Sequence, residues 1–135
     1  MKILGFFRED IGFLNVHLIS ESLGIDDTIE FVIDTGANKT VILDKDAVTL
    51  GINYKKLKRY ERDFVGIGGS IETYVIEDAT LLLKAGAEVL EIKTPVFVVK
   101  HPIDRISELE KTKILRIPSL LGRDLINRFK LIFDK

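Results

Sequence analysis

Twice in this chain an apolar strand runs into a glycine turn and a short helix follows. The first copy is Phe31-Val32-Ile33-Asp34-Thr35-Gly36, with a helix expected over 45–50. The second is Leu120-Leu121-Gly122, with a helix expected over 123–128, and only the first copy carries an acid in its turn. Around these two units the chain reads as strands. Residues 2–8 and 12–20 are rich in Ile, Leu, Phe and Val and flank the turn Arg8-Glu9-Asp10-Ile11-Gly12, a hairpin pattern. Residues 28–34 and 40–43 are short β-branched runs, and Asp44 and Gly51 bracket the first helix as N-cap and C-cap. Further on, 62–67 and 71–77 flank the tip Gly66-Ile67-Gly68-Gly69-Ser70, and 79–84 and 88–99 flank Ala85-Gly86-Ala87. Residues 101–118 form a charged connection with a helical turn expected at 105–111, and 129–133 is a last apolar strand. No linker or shift of composition divides the chain, so 1–135 is expected to be one all-β domain with one or two short helices.

The composition narrows the chemistry. With 46% hydrophobic and 30% charged residues the chain is globular, and 20 basic against 21 acidic residues leave a net charge of −1. No global field draws it to nucleic acid or anionic lipid. The one basic run, Lys55, Lys56, Lys58, Arg59 and Arg62, has only Tyr60 interleaved and reads as a solvated face. The absence of cysteine excludes disulfides, thiol catalysis and cysteine-bound metal. His17 and His101 stand too far apart for ligand spacing, so no metal and no cofactor is expected, and His101 reads as a surface loop residue. No apolar run approaches the roughly 18 residues of a membrane span. Arg8-Glu9-Asp10 interrupts the apolar N-terminus, which argues against a signal peptide and for the cytoplasm.

Asp34 is the residue with a claim to chemistry. Phe31, Val32 and Ile33 deliver it from the core into a Thr-Gly-Ala turn, and a carboxylate there needs hydrogen-bond donors. Turn amides and the Thr35 hydroxyl are the natural ones. On its own terms this is equally a turn aspartate. The Gly66–Ser70 tip is likewise an ordinary hairpin tip or a mobile cover; a phosphate cradle is disfavoured because no Lys-Ser/Thr follows the glycines.

Three separated features resemble the retroviral-type (retropepsin-like) aspartic proteases, over about residues 12–134. They are Phe31-Val32-Ile33-Asp34-Thr35-Gly36-Ala37, the tip Val65-Gly66-Ile67-Gly68-Gly69, and Leu120-Leu121-Gly122-Arg123-Asp124-Leu125-Ile126. The resemblance implies a small closed β-barrel of the acid-protease type, one lobe per subunit, and a homodimer hydrolysing polypeptides. Asp34, Thr35 and Gly36 are then the catalytic turn, with Thr35 bracing the site beneath the two aspartates. Ala37, Asn38, Ile67, Gly68 and Gly69 contact substrate, the last three as part of a flap. Gly122 and Arg123 give structural support.

The chain departs from the pattern at Asn38, where the matching position holds an aspartate that pairs with the arginine at 123. Asn38 is left to accept a hydrogen bond from Arg123, or Arg123 is simply solvated at its helix start. Asp124 is expected to favour the helix dipole. The apolar ends, 2–7 and 129–133, are expected either to pair between subunits or to pack within one barrel. The segment 101–119 could cover the dimer, shape specificity or recognise a partner. A catalytically inactive dimerisation or peptide-binding module is the alternative to the protease, and an unrelated small β-barrel a third reading.

Overall fold

The computed structural model describes residues 1–60, 64–66 and 69–134, with backbone alone at 64–66 and 69–70. The chain opens with β1 (Phe6–Arg8) and β2 (Ile11–Ser20), which turns through Gly24 into β3 (Ile25–Ile33). Along β2, Leu14, Val16, Leu18 and Ser20 are buried while the residues between them are more open, the period of a sheet with one face on a core. The β2–β3 hairpin runs in register from Phe13↔Val32 to Ser20↔Ile25. Gly24 takes the left-handed conformation at φ 65° that its turn requires.

Next come β4 (Val41–Ile42), α1 (Asp44–Leu50), β5 (Lys58–Arg59), β6 (Phe64–Gly66) and β7 (Gly69–Ile76). The hairpin of β8 (Thr80–Ala85) and β9 (Glu88–Lys93) follows, and then β10 (Val96–Lys100), α2 (Glu108–Ile114), β11 (Ser119–Leu121) and α3 (Arg123–Ile126). The main path through the sheet is β5-β7-β10-β4-β11-β3-β2-β8-β9. Its inner face and α1 enclose a core built on Val16, Leu18, Phe31, Ile42, Leu81 and Val98. The all-β expectation holds, but closure of the barrel does not. Among the described residues the path is open, with β5 at one end and β9 at the other.

Several local expectations change. The run 88–99 is two strands, because Thr94-Pro95 ends β9; a proline cannot continue a hydrogen-bonded ladder. Past it, β10 pairs antiparallel with β7 and parallel with β4 instead. Leu43 holds the N-cap position of α1, and Asp44 is its first residue, 2% exposed, with no cap bond. Its carboxylate accepts the His101 amide at 2.9 Å and pairs with the His101 ring. His101 is therefore a buried anchor at the end of β10, 9% exposed, and not a surface loop residue.

The basic run does lie at the surface. Lys55, Lys56, Lys58 and Arg59 are exposed, and β5 guards a sheet edge with charge; Arg62 lies outside the described residues. In the 101–118 connection α2 is helical, capped by the Ser107 hydroxyl on Glu110 N–H at 3.2 Å. The expected strand at 129–133 is absent, and only 6–8 of the N-terminal run is a strand. The C-terminal end therefore adds no strand, but Phe133 packs within the chain, against Gly12. Ile132 and Phe133 are 69% and 53% exposed, and the Phe133 ring lies 6.1 Å from that of Phe7. No helix among the described residues is long and apolar enough to cross a membrane.

Candidate active site

β3 ends at Ile33, and Asp34 starts the turn beyond it. The Asp34 amide donates to the Leu121 carbonyl at 3.0 Å, which ties the turn to the end of β11. β11 runs parallel to β3, with Leu120 beside Val32 and Leu121 beside Ile33. The turn then closes on itself: Gly36 N–H donates to Asp34 Oδ1 at 2.9 Å and Ala37 N–H to the Asp34 carbonyl at 3.2 Å. A Cβ at Gly36 would lie 3.2 Å from Asp34 Oδ1, so glycine leaves the half-buried carboxylate its space.

The remainder of the loop is fastened to the start of α3. Arg123 N–H donates to the Ala37 carbonyl at 2.8 Å, and Asp124 N–H to the Asn38 carbonyl at 3.3 Å. The Asp124 carboxylate takes the Thr40 amide at 3.0 Å and the Thr40 hydroxyl at 2.8 Å. Thr40 Oγ1 in turn accepts Gly122 N–H at 3.1 Å. Gly122 is pressed so tightly on the loop that a Cβ would sit 2.4 Å from the Lys39 carbonyl carbon. Each polar group in this knot has a partner, as burial demands.

Arg123 thus supports the loop through its backbone. Its side chain is exposed, and the expected bond to Asn38 is not made; Asn38 too is exposed. Asp124, expected only to favour the helix dipole, is the hub of the knot. No spacing in the sequence announces this, because its partner is Thr40, 84 residues away. Two acids of α1 do similar work: Asp44 on His101, and Asp46 on Ser119, whose hydroxyl donates to it at 2.5 Å. The Ser119 hydroxyl also accepts the Leu43 amide at 3.0 Å, so one serine joins β11 to the start of α1.

The other expected site residues fall as follows. Thr35 is exposed, at the tip of the turn. β6 and β7 pair through Gly66↔Gly69, while Ile67 and Gly68 lie outside the described residues. Two surface concavities, of about 470 and 270 Å³, are lined by residues around Glu77 and Asp78 rather than by the 34–40 loop. Among the described residues no cluster of His, Asp or Glu could hold a metal ion. The site within one chain is a single carboxylate on a rigid turn.

A sequence model of the retroviral aspartyl protease family matches residues 9–133. The chain belongs to that family. Among solved structures it is similar to a retropepsin-like aspartic protease from Rickettsia conorii, with a TM-score of 0.60 and 26% identity over 99% of this chain and 92% of that one. It is similar also to EIAV protease in complex with the inhibitor HBY-793, with a TM-score of 0.54 and 20% identity over 96% of this chain and all of that one. The second likeness speaks for the fold alone. No curated protein sequence matches the chain. Gly122 stands at the place after β11 that Asp34 occupies after β3.

Proposed function

We propose that this chain is an aspartic endopeptidase that works as a homodimer, with one Asp34 from each subunit at the two-fold axis. The observation that carries this reading is the equivalence of Asp34 and Gly122, each the residue after its strand in the parallel pair of β3 and β11. A second carboxylate cannot be supplied by the other unit of the same chain, since any side chain at 122 would strike the Lys39 backbone. An isologous contact brings each Asp34 to its own mate.

Two carboxylates in contact do not both ionise, and aspartic proteases are the type example of the shared proton that results. The ionised Asp34 takes a proton from water as its oxygen attacks the scissile carbonyl carbon. The protonated Asp34 hydrogen-bonds the carbonyl oxygen as negative charge develops there. When the C–N bond breaks, a proton passes to the leaving amine and the pair returns to its shared state. Thr35 braces the two turns against each other, and Gly36 lets the substrate backbone approach. Ala37 and Asn38 line the substrate channel, and the 64–71 hairpin, with Ile67, Gly68 and Gly69 at its tip, covers it and excludes water.

The exposed ends support the dimer. Leu4, Ile132 and Phe133 leave an apolar surface uncovered, and unpaired apolar segments of this kind are suited to strand pairing with a second copy. The absence of cysteine suits a reducing compartment, and the proposed location is the cytoplasm.

One observation favours a peptide-binding module without catalysis: among the described residues the Arg123 side chain has no partner. Turnover separates the two. An unstructured protein incubated at acidic to neutral pH should be cut by the wild type and cut at least about 10³-fold more slowly by Asp34→Asn. Equal rates in both would remove Asp34 from the mechanism, and stable binding without cleavage would establish the module.

A further inference from the structure

At the edge strand β5 the balance of charge fails locally. The chain holds 20 basic and 21 acidic residues, yet residues 55–59 carry four cations, Lys55, Lys56, Lys58 and Arg59, and no acid. All four are exposed, and the three lysine side chains make no hydrogen bond or ion pair among the described residues. The backbone beneath them is fixed. The Asn53 side chain accepts the Lys55 amide at 3.1 Å and the Asn53 carbonyl the Lys56 amide at 3.0 Å, while Lys58 and Arg59 pair with Val75 and Tyr74 of β7. Tyr54 and Leu57, on either side of Lys55 and Lys56, pack against the core. A partner therefore meets cations whose backbone is already ordered, which lowers the cost of association.

Two features beside the charge define what fits it. A concavity of about 270 Å³ is lined at this edge by Lys56 and Lys58, by the apolar Leu57, Val75 and Ile76, and by Glu77 and Asp78. The lysines belong to the β5 side and the acids to the β7 side, and Asp78 is already taken by the Ser20 hydroxyl and the Ser22 amide. An acidic chain therefore runs along the lysines, with room for an aliphatic side chain beside them. The rings of this region are engaged elsewhere. Tyr54 and Tyr74 lie 5.0 Å apart, Lys100 sits over Tyr54 at 5.1 Å, Arg59 over Tyr74 at 5.4 Å, and Tyr60 meets Phe97 edge-on at 4.9 Å. Single-stranded nucleic acid binds by stacking its bases on open rings, whereas a polypeptide needs none.

We propose that the β5 edge, through Lys55, Lys56, Lys58 and Arg59, is a docking surface for an acidic segment of a partner polypeptide, with one aliphatic side chain of that segment seated among Leu57, Val75 and Ile76. It uses no residue of the Asp34 turn and so stands apart from the endopeptidase reading. Exposed ion pairs are individually weak, so the affinity is the sum of several and is screened by salt.

The test uses the full chain with Asp34→Asn, so that cleavage cannot consume the probe, and a fluorescent peptide of about ten residues with one leucine among glutamates. Anisotropy at low salt should show saturable binding, with Kd rising at least about tenfold between about 0.05 and 0.5 M salt. Lys56→Glu with Lys58→Glu should raise Kd at least about tenfold. Lys56→Gln with Lys58→Gln should raise it about threefold or more, which keeps the test open if charge reversal disturbs the fold. Lys84→Glu with Lys113→Glu, the same change of net charge at exposed positions elsewhere, should leave Kd within about twofold. Serine in place of the peptide leucine should weaken binding about three- to tenfold, as for partial burial of that side chain. Absence of binding, equal binding of a peptide with glutamine for glutamate, or equal losses in the two charge-reversed variants overturns the docking surface, and so does a leucine replaced without loss. Tighter binding of oligothymidylate, lost on the same Lys56 and Lys58 substitutions, would assign the edge to nucleic acid and overturn the polypeptide partner.

Discussion

The two strand–turn–helix units share a backbone plan and part at one position. After β3 the chain places Asp34, half-buried, its carboxylate held by the Gly36 amide. After β11 it places Gly122, buried, with the Lys39 backbone where a side chain would be. The first turn is open to solvent at Thr35 and Gly36; the second is closed because it is the bed on which the first turn lies. One unit cannot do both. An acid at 122 would remove the contact that holds the Asp34 loop, so the single carboxylate per chain follows from packing as much as from composition.

The comparison is broken most severely at the glycines. Gly122→Ala puts a methyl 2.4 Å from backbone, which no side-chain rotation relieves. Denaturant unfolding should show a loss of about 3 kcal/mol, the upper end of overpacking costs, together with loss of cleavage. Gly36→Ala meets only the Asp34 carboxylate, at 3.2 Å. It should cost stability less than about 1 kcal/mol, as for an exposed turn, while cleavage falls because the carboxylate is displaced. Equal stability losses in the two variants would refute the division between an open and a closed turn.

Next in size is the knot that joins the units. Asp124→Ala deprives the Thr40 amide and hydroxyl of their acceptor, and Thr40 is buried, while the Leu125 amide keeps the Gly122 carbonyl. Donors left in this state cost about 2–4 kcal/mol together. Thermal unfolding checks the magnitude. A loss below about 1 kcal/mol would mean that water replaces the carboxylate and that the two units are held mainly by apolar contact.

How much of this was legible in the sequence divides along the same line. Asp34, its turn and the echo at Leu120–Gly122 were visible because they are local patterns: apolar residues, then glycine. Gly51 was legible as a C-cap for the same reason, and it adopts φ 64°. Asp44 and His101 were misread, and the bond from Thr40 to Asp124 missed, because the partners lie 57 to 84 residues apart and a polar residue carries no mark of a distant partner. The break at Thr94-Pro95 did carry a mark, the proline, which the apolar run on both sides concealed. At 129–133 the residues have strand character but no strand forms, since strand character alone does not make a strand without a hydrogen-bonded neighbour.

A third carboxylate calibrates the difference. Asp78 also accepts several donors, the Ser22 amide at 2.9 Å and the Ser20 and Ser22 hydroxyls at 2.7 and 2.9 Å, yet it stays exposed. The Ser22 amide above all, with the Ser20 and Ser22 hydroxyls, holds its carboxyl below the usual range against an opposing effect of burial that outweighs either hydroxyl alone. A carboxyl lowered on folding stabilises the fold at pH values above its unfolded pKa. That contribution disappears as pH falls from about 4 through the folded value, because both states are then protonated. Asp78→Asn should therefore be slightly less stable than wild type at pH 7, and the gap should close as pH falls below the lowered folded-state value. Solvent screening keeps the effect well below that of Asp124→Ala. A gap at pH 7 as large as that of Asp124→Ala would show that the number of donors, and not the enclosure of the knot, sets what such a carboxylate contributes.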